Sequence, residues 1–237
     1  MSIPALPLLG FLADLVCPER CASCDAIVRA DVLFCRACTS QAHRLGSPEC
    51  THCGAPGVDP CGRCIAAPRP IRSARAWASY RNEAMESPVA ATIARFKYRG
   101  VSRLGRRVAA AMSSRVFDVA IDLVIPVPLH ARRLRARGYN QSAILARELA
   151  HRFDTPLVLT TVVRTRPTPS QVGLSTAARA ANVTDAFSVR RPDLVRGRAV
   201  LVVDDVWTSG ATARAMATAL RRAGARSVDV LTFARVV

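Results

Sequence analysis

All nine cysteines of this chain fall before residue 65, and eight of them form four CxxC pairs: Cys21/Cys24, Cys35/Cys38, Cys50/Cys53 and Cys61/Cys64. Cys17 stands alone. A CxxC turn places two thiolates on one small loop at a spacing that suits one tetrahedral ion, and two such turns complete a four-sulfur zinc site. Ten residues separate the first two turns and seven the last two, lengths suited to short hairpins. Gly54 and Gly62 sit at the turns, where a positive φ is often needed. Eight thiolates leave no open position for water, so the expected role is structural. Two ions would replace the core that so short a segment lacks. A disulfide framework is the alternative, and it needs an oxidising compartment. A thioredoxin-like redox pair is another, but it uses one CxxC on a βαβ unit rather than four in succession. His43 and His52 are either substitute ligands or ordinary surface residues. Sequential pairing of the turns is the simpler arrangement, and interleaved pairing stays open.

The segment APRPIRS (67–73) reads as a proline-rich linker. It divides the chain into a zinc-ribbon domain with a short N-terminal helix, 1–68, and a larger domain, 69–237. LLGFLADLV is the stretch read as that helix. MSIPALPLLGFLADLV lacks the positive start of an export signal and carries Asp14. No run of about 18 apolar residues is free of charge, so no transmembrane helix is expected. The expected location is the cytoplasm.

After the linker the pattern alternates. SARAWASYR (73–81), DLVIPVPL (122–129), RAVLVVDDV (198–206) and SVDVLTFARV (227–236) read as strands. MESPVAATIARF, SRLGRRVAAAMSSRVF, YNQSAILARELAHRF and SGATARAMATALRRAGA read as helices, with Ser102 a candidate cap and Gly224 a stop. Wholly apolar strands alternating with helices predict an α/β fold: a parallel sheet covered on both faces. Ligands on such sheets bind at the carboxyl ends of the strands.

One such end carries VLVVDDVWTSGAT (200–212). Asp204 and Asp205 repel each other and lose hydration at the end of an apolar strand. The next loop explains their presence. Thr208, Ser209, Gly210, Ala211 and Thr212 bring backbone N–H groups, hydroxyls and a helix N-terminus to one point, which suits a phosphate. Carboxylates beside it can accept hydrogen bonds from vicinal hydroxyls. A phosphate next to a diol describes ribose 5-phosphate. The fingerprints GxxxxGK[ST] and GxGxxG are absent, which argues against a P-loop or a Rossmann site.

The charge supports a phosphate-bearing partner. Thirty-four Lys and Arg face 17 Asp and Glu, a formal net charge of +17. Arg132, Arg133, Arg135 and Arg137 lie in HARRLRARGYNQ, beside the second strand end. They read either as a solvated helix face or as pyrophosphate or nucleic-acid contacts. Tyr139 is a candidate for stacking on a base, and Asn140 and Gln141 for capping a helix. Lys97, the sole lysine, is either a surface residue or a charge near the pyrophosphate.

Together these blocks resemble a known family. VLVVDDVWTSGAT looks like the phosphoribosyl-pyrophosphate (PRPP) motif of type I phosphoribosyltransferases. FKYRG (96–100), IPVPLHARRLRARGYNQSAILARELA (125–150), RTRPTPSQVGLSTAARAANVTDAF (164–187) and the four CxxC turns resemble the ComF family, competence protein F and its relatives. The resemblance covers essentially the whole chain. It implies a type I phosphoribosyltransferase-like fold with a five-stranded parallel core sheet and a small hood, PRPP binding with Mg²⁺, and two structural zinc ions. By that resemblance Asp204 and Asp205 contact the ribose hydroxyls and form the catalytic pair, and Thr208 through Thr212 hold the 5-phosphate. Pro126, Val127, Pro128 and the nearby arginines face pyrophosphate, in a loop where type I enzymes often place a cis peptide. Arg164, Gln171, Arg179 and Asn182 sit on a flexible closing loop, for which a plain surface loop is the other reading. Two functions follow: a transferase of unidentified acceptor acting in competence and DNA uptake, or a non-catalytic, PRPP-responsive protein that binds single-stranded DNA. Other DNA-uptake proteins would be its partners.

Overall fold

The computed structural model describes residues 18–57, 59–65, 70–80, 87–98, 102–115, 119–165 and 186–237. Cys17, the expected N-terminal helix, residues 67–69 of the expected linker, and Gln171, Arg179 and Asn182 lie outside the described residues.

Four strands form the main sheet: β1 (Ser73–Ser79), β2 (Leu123–Pro126), β5 (Ala199–Trp207) and β6 (Ser227–Arg235). Their order is β1-β6-β5-β2 and every pairing is parallel. The central pair is apolar on both sides, as a doubly covered sheet requires. Val200, Leu201, Val202 and Val203 of β5, and Val228, Val230 and Leu231 of β6, have no solvent exposure. Where the family resemblance implies five strands, the described residues show four and a parallel bridge from Val124 to Leu157 at the β2 edge.

One face of the sheet is covered by α3 (Pro88–Tyr98), α4 (Gly105–Ser113) and α6 (Gln141–Arg152). Leu145 and Leu149, one turn apart on α6, are fully buried, and each contributes about 2 kcal/mol through burial. The other face is covered by α7 (Ala211–Arg222), through Met216 and Leu220, and by an antiparallel pair, β3 (Val162–Arg164) with β4 (Phe187–Val189). Each of those two strands has only three residues, too few to show a period in the sequence.

The four strands and four helices expected after the linker therefore exist, with shifted ends. The second strand stops at Pro126, because Pro126 and Pro128 lack the N–H that would continue a ladder. The third runs past the aspartates to Trp207. Ser102 opens a 3-10 turn, and the cap position of α4 falls to Leu104, which makes no side-chain cap bond. Asn140 caps α6 as expected, accepting from the Ser142 N–H at 3.1 Å. The cis peptides among the described residues are Ser47–Pro48 and Asp59–Pro60, so the loop after β2 is trans.

The cysteine-rich segment, with the short helices α1 (Arg36–Gln41) and α2 (Gly62–Ile65), lies over the β1 edge. Backbone bonds from Leu45 to Trp77 and from Ser79 to His43 cover that edge, which would otherwise offer unpaired groups. Cys21, Cys38 and Phe34 enter the core of one face, and Cys50 and Cys53 that of the other. Gly54 has φ +68°, and a Cβ there would strike the Ala74 carbonyl, so its lack of a side chain lets the segment touch β1. Gly62, by contrast, opens α2 without positive φ.

Candidate functional site

β5 carries Asp204 and Asp205 to the carboxyl edge of the sheet, and neighbouring elements receive them differently. The Ser142 hydroxyl, in the first turn of α6, donates to Asp204 Oδ1 at 2.8 Å. The Asp205 backbone N–H donates to the same oxygen at 2.9 Å. Asp205 is 4% exposed and pairs with Lys97 of α3, whose Nζ lies 2.9 Å from Oδ2. Burial, reinforced by the neighbouring Asp205 charge, pushes the Asp204 carboxyl up to about 7. Burial opposes the Lys97 charge, but Asp205 outweighs it and holds the ammonium above the usual lysine value. One carboxylate is thus neutralised by an ion pair, and the other titrates near neutrality while part of its surface remains open. Chemically, Asp204 can accept a proton or a sugar hydroxyl.

Three residues beyond β5, Gly210 adopts φ +75° and stands at the cap position of α7. A Cβ there would run into the Trp207 indole, so glycine is required both by conformation and by contact. No side chain caps this helix, and the Ser209 hydroxyl accepts only a long 3.4 Å bond from Ala211 N–H. The N-terminus of this 12-residue helix lies beside the hydroxyl residues Thr208, Ser209 and Thr212, a combination of groups suited in kind to an anion. Trp207 does not line it. The ring is 5% exposed and belongs to the core under α7.

The loop after β2 borders the same edge. Val127 donates its N–H to Val203 O at 2.9 Å and accepts from Asn140 Nδ2 at 3.0 Å. Its backbone is thereby committed to holding the loop between β5 and α6. α5 (Ala131–Arg137) follows, with no buried residue. Arg132 and Arg135 are exposed, and Arg137 Nη1 donates to Gln141 Oε1 at 2.6 Å. Arg164, at the end of β3, has its pKa lowered by burial and then by the Arg133 charge, with the Asp204 charge opposing the shift. Tyr139 is committed elsewhere: its hydroxyl donates to Phe96 O and its ring tilts against Phe96. The aromatic that the sequence reading missed is Tyr98, 76% exposed, with the Arg137 guanidinium 5.4 Å from its ring centre. Its position next to Lys97 in FKYRG was the available signal.

The eight paired cysteines form two groups, Cys21/Cys24/Cys35/Cys38 and Cys50/Cys53/Cys61/Cys64, with the sulfurs of each group within 4.8 Å of one another. The turns pair sequentially. Neither His43 nor His52 joins a group, and the His52 ring instead faces Arg72 O at 3.2 Å. Cys24 and Cys35, like Cys53 and Cys61, have sulfurs 3.6 Å apart. Zn–S bonds of about 2.3 Å in a tetrahedron give nearly that spacing. Backbone N–H groups of Cys35 and Cys61 point at the sulfurs of Cys21 and Cys50, at 3.3 and 3.4 Å. Burial disfavours the thiolate at both, but these and neighbouring N–H groups outweigh it, bringing Cys21 to about 7 and Cys50 to about 6. Both groups fit a structural zinc ion.

Several arginines counted in the basic excess serve the junction between segment and sheet. Arg95 pairs with Asp25 at 2.5 Å and donates to Cys21 O at 3.1 Å. Arg107 pairs with Glu19 at 3.0 Å and donates to Val32 O at 2.8 Å. Arg75 and Arg115 converge on Glu49, whose side chain is 8% exposed.

The sequence matches the phosphoribosyl transferase domain family over residues 139–236 and the double zinc ribbon domain family over residues 12–67. It is 32% identical over 214 residues to the DNA utilization protein YhgH of Escherichia coli (strain K12), covering 86% of this chain and 91% of that one. It is 30% identical over 213 residues to competence protein F of Haemophilus influenzae, covering 85% and 90%. Competence protein ComFC of Bacillus subtilis is 26% identical over 222 residues, covering 88% and 87%. No helix among the described residues is long and apolar enough to cross a membrane. With two four-cysteine groups followed by a parallel sheet and by paired aspartates before a helix N-terminus, the chain belongs to the ComF/YhgH family of phosphoribosyltransferase-like proteins with an N-terminal double zinc ribbon.

Proposed function

We propose that this protein binds PRPP at the carboxyl edge of β2 and β5. The observation that carries this reading is the pair Asp204 and Asp205 set directly before the open N-terminus of α7. Thr208 through Thr212 hold the 5-phosphate, and the two aspartates take the ribose hydroxyls. Pro126 to Pro128, Arg132, Arg133 and Arg137 face the pyrophosphate, and Lys97 supplies charge from the α3 side. Gln171, Arg179 and Asn182 close the site together with Arg164. Mg²⁺ bound with the pyrophosphate would be held mainly by the ligand's own oxygens and would supply the charge that neutralises them. Residues 1–68 act as the zinc-held domain and 69–237 as the PRPP domain, both in the cytoplasm.

As a transferase, the chain works by positioning and by charge. The arginines stabilise negative charge on departing pyrophosphate, and the carboxylates stabilise the positive charge that develops on the sugar. Asp204, with a pKa near neutrality, serves as the proton acceptor. Calorimetric titration of PRPP into wild type and Asp204→Asn/Asp205→Asn tests the binding reading. Strong binding lost in the double variant supports it, and equal affinity overturns it. Pyrophosphate release across a panel of nucleobases then decides whether turnover accompanies binding.

A second reading is favoured by the exposed Tyr98 beside Arg137 and by the exposed Arg132 and Arg135. Here the chain is a PRPP-responsive single-stranded-DNA-binding protein without turnover, working with other DNA-uptake proteins. The relatives named for DNA utilization and competence support a role near DNA under either reading.

A further inference from the structure

Arg235 ends β6 in register with Trp207, which ends β5. It is 6% exposed, although it lies two residues from the end of the chain. Its guanidinium is used three ways. One Nη donates to the Cys53 carbonyl, the other lies 3.8 Å from Cys53 Sγ, and the planar head stands 5.3 Å from the Trp207 ring centre. The ring in turn supports Gly210, whose backbone approaches so closely that a Cβ would collide with the indole. The Trp207 carbonyl accepts from Val236 N–H at 2.8 Å, which fixes the two strand ends together. An unbroken line of contacts thus joins a cysteine of the second four-cysteine group to the first turn of α7.

A buried arginine needs an anionic partner, because desolvation of an unpaired charge is costly. The polar contacts of Arg235 are the carbonyl and sulfur of Cys53 rather than a carboxylate. Four thiolates around a divalent ion carry a net double negative charge, and that assembly supplies a counter-charge where no carboxylate among the described residues is paired with Arg235. Loss of the ion removes the charge and releases Cys53 from its place. The guanidinium then loses both its partner and its anchor, and the ring beneath Gly210 loses the contact that fixes it.

We propose that Arg235 couples metal occupancy of the Cys50/Cys53/Cys61/Cys64 site to the Thr208–Thr212 loop, so that phosphate affinity falls when this site loses its zinc. The inference rests on the reading that this loop holds a phosphate. Arg235 acts as a positioning residue, through Trp207.

The test uses the full-length, two-zinc protein and ribose 5-phosphate, a probe limited to the loop and the aspartates, with affinity read by calorimetry and zinc counted per chain. Cys61→Ser removes a ligand of the second site while retaining the Cys53 residue that Arg235 contacts, and loss of that zinc should weaken binding about tenfold, within the usual range of coupling between two sites. Arg235→Met should weaken it similarly while both zinc ions stay bound. Combining the two should add little, because each breaks the same link. A merely structural role for Arg235 would instead give losses that add. Arg235→Lys should recover part of the affinity by reaching the Cys53 carbonyl. If Arg235→Met fails to hold both ions, Arg235→Lys decides: weaker binding with two zinc ions supports the link, and wild-type affinity overturns it. Wild-type affinity in two-zinc Arg235→Met, or additive losses, also overturns it. Failure of wild type to bind ribose 5-phosphate at all would instead remove the phosphate-site reading, and the coupling with it.

Discussion

Lys97 Nζ lies 2.9 Å from Asp205 Oδ2, and the two side chains are 22% and 5% exposed. The one lysine of the chain is thus the counter-ion of one of its two adjacent aspartates. Removing one member of a buried pair leaves the other uncompensated. Lys97→Met is therefore expected to cost about 3 kcal/mol of stability. Lys97→Met/Asp205→Asn should regain most of it, because no orphan charge remains. Urea unfolding of the single variants and the double variant measures this, and additive losses would refute the pairing.

Asp204 should make stability depend on pH in the opposite sense from an ordinary surface carboxylate. Its pKa is about 7 in the folded chain, against a reference of 3.8. Between those values the folded state holds a proton that the unfolded state has released, so stability falls as pH rises. The contribution is complete below the reference value and gone above about 7. Asp204→Asn should flatten this slope, and so be more stable than wild type at pH 8 but not at pH 4. Ligand binding should show the reverse trend, since sugar hydroxyls favour the ionised carboxylate. Thermal melts across this range check both, and an unchanged slope in Asp204→Asn would count against the assignment.

Most of the fold was legible because its signals are local. CxxC spacing identifies thiol pairs, and runs such as VLVV announce a strand buried on both faces. The loop proposed to hold a phosphate is local in the same way, as its five residues are consecutive. What the sequence hid depends on packing. Asp205 meets Lys97 across more than a hundred residues, and Arg235 meets Cys53 across 182. Trp207 lies inside the loop motif yet turns into the core, a direction that no spacing rule supplies. The charge total misled in one respect, since Arg75, Arg95, Arg107 and Arg115 are engaged in docking the cysteine-rich segment.

Each four-cysteine group should hold one zinc ion independently. The sulfurs within a group lie inside 4.8 Å, a spacing that four thiolates hold only around a cation. Cys24→Ser should therefore lower the zinc content from two ions to one. It should also free the loop that presents Asp25 and the Cys21 carbonyl to Arg95. Metal analysis gives the first outcome. Limited trypsin digestion gives the second, as faster cleavage at Arg20 and Arg29. Unchanged zinc content would exclude this ligand set.

Gly210→Ala should damage both stability and phosphate binding. Alanine at φ +75° is strained, which by itself costs roughly 1 kcal/mol, and its Cβ meets the Trp207 indole. The clash and the strain have separable remedies. Adding Trp207→Leu makes room for the methyl but leaves the backbone strained, so Gly210→Ala/Trp207→Leu should recover only part of the loss that Gly210→Ala adds to Trp207→Leu. Full recovery would show that glycine is there for space alone, and none would show that the indole does not limit the loop.

If α5 contacts single-stranded DNA, salt will reveal it. Each phosphate neutralised on a single strand contributes about 0.7 to the slope of log affinity against log salt. Arg132 and Arg135 are exposed and point away from the core, whereas Arg137 is tied to Gln141 and stands over Tyr98. Arg132→Ala/Arg135→Ala should therefore lower the slope by about 1.4 with little change in stability. Tyr98→Ala should weaken binding by about 1 to 3 kcal/mol while leaving the slope intact, because stacking releases no counterions. Fluorescence anisotropy with a labelled oligonucleotide across a salt series separates the two effects. A slope unchanged by loss of both arginines would remove α5 from the DNA surface, whatever the protein's affinity for PRPP.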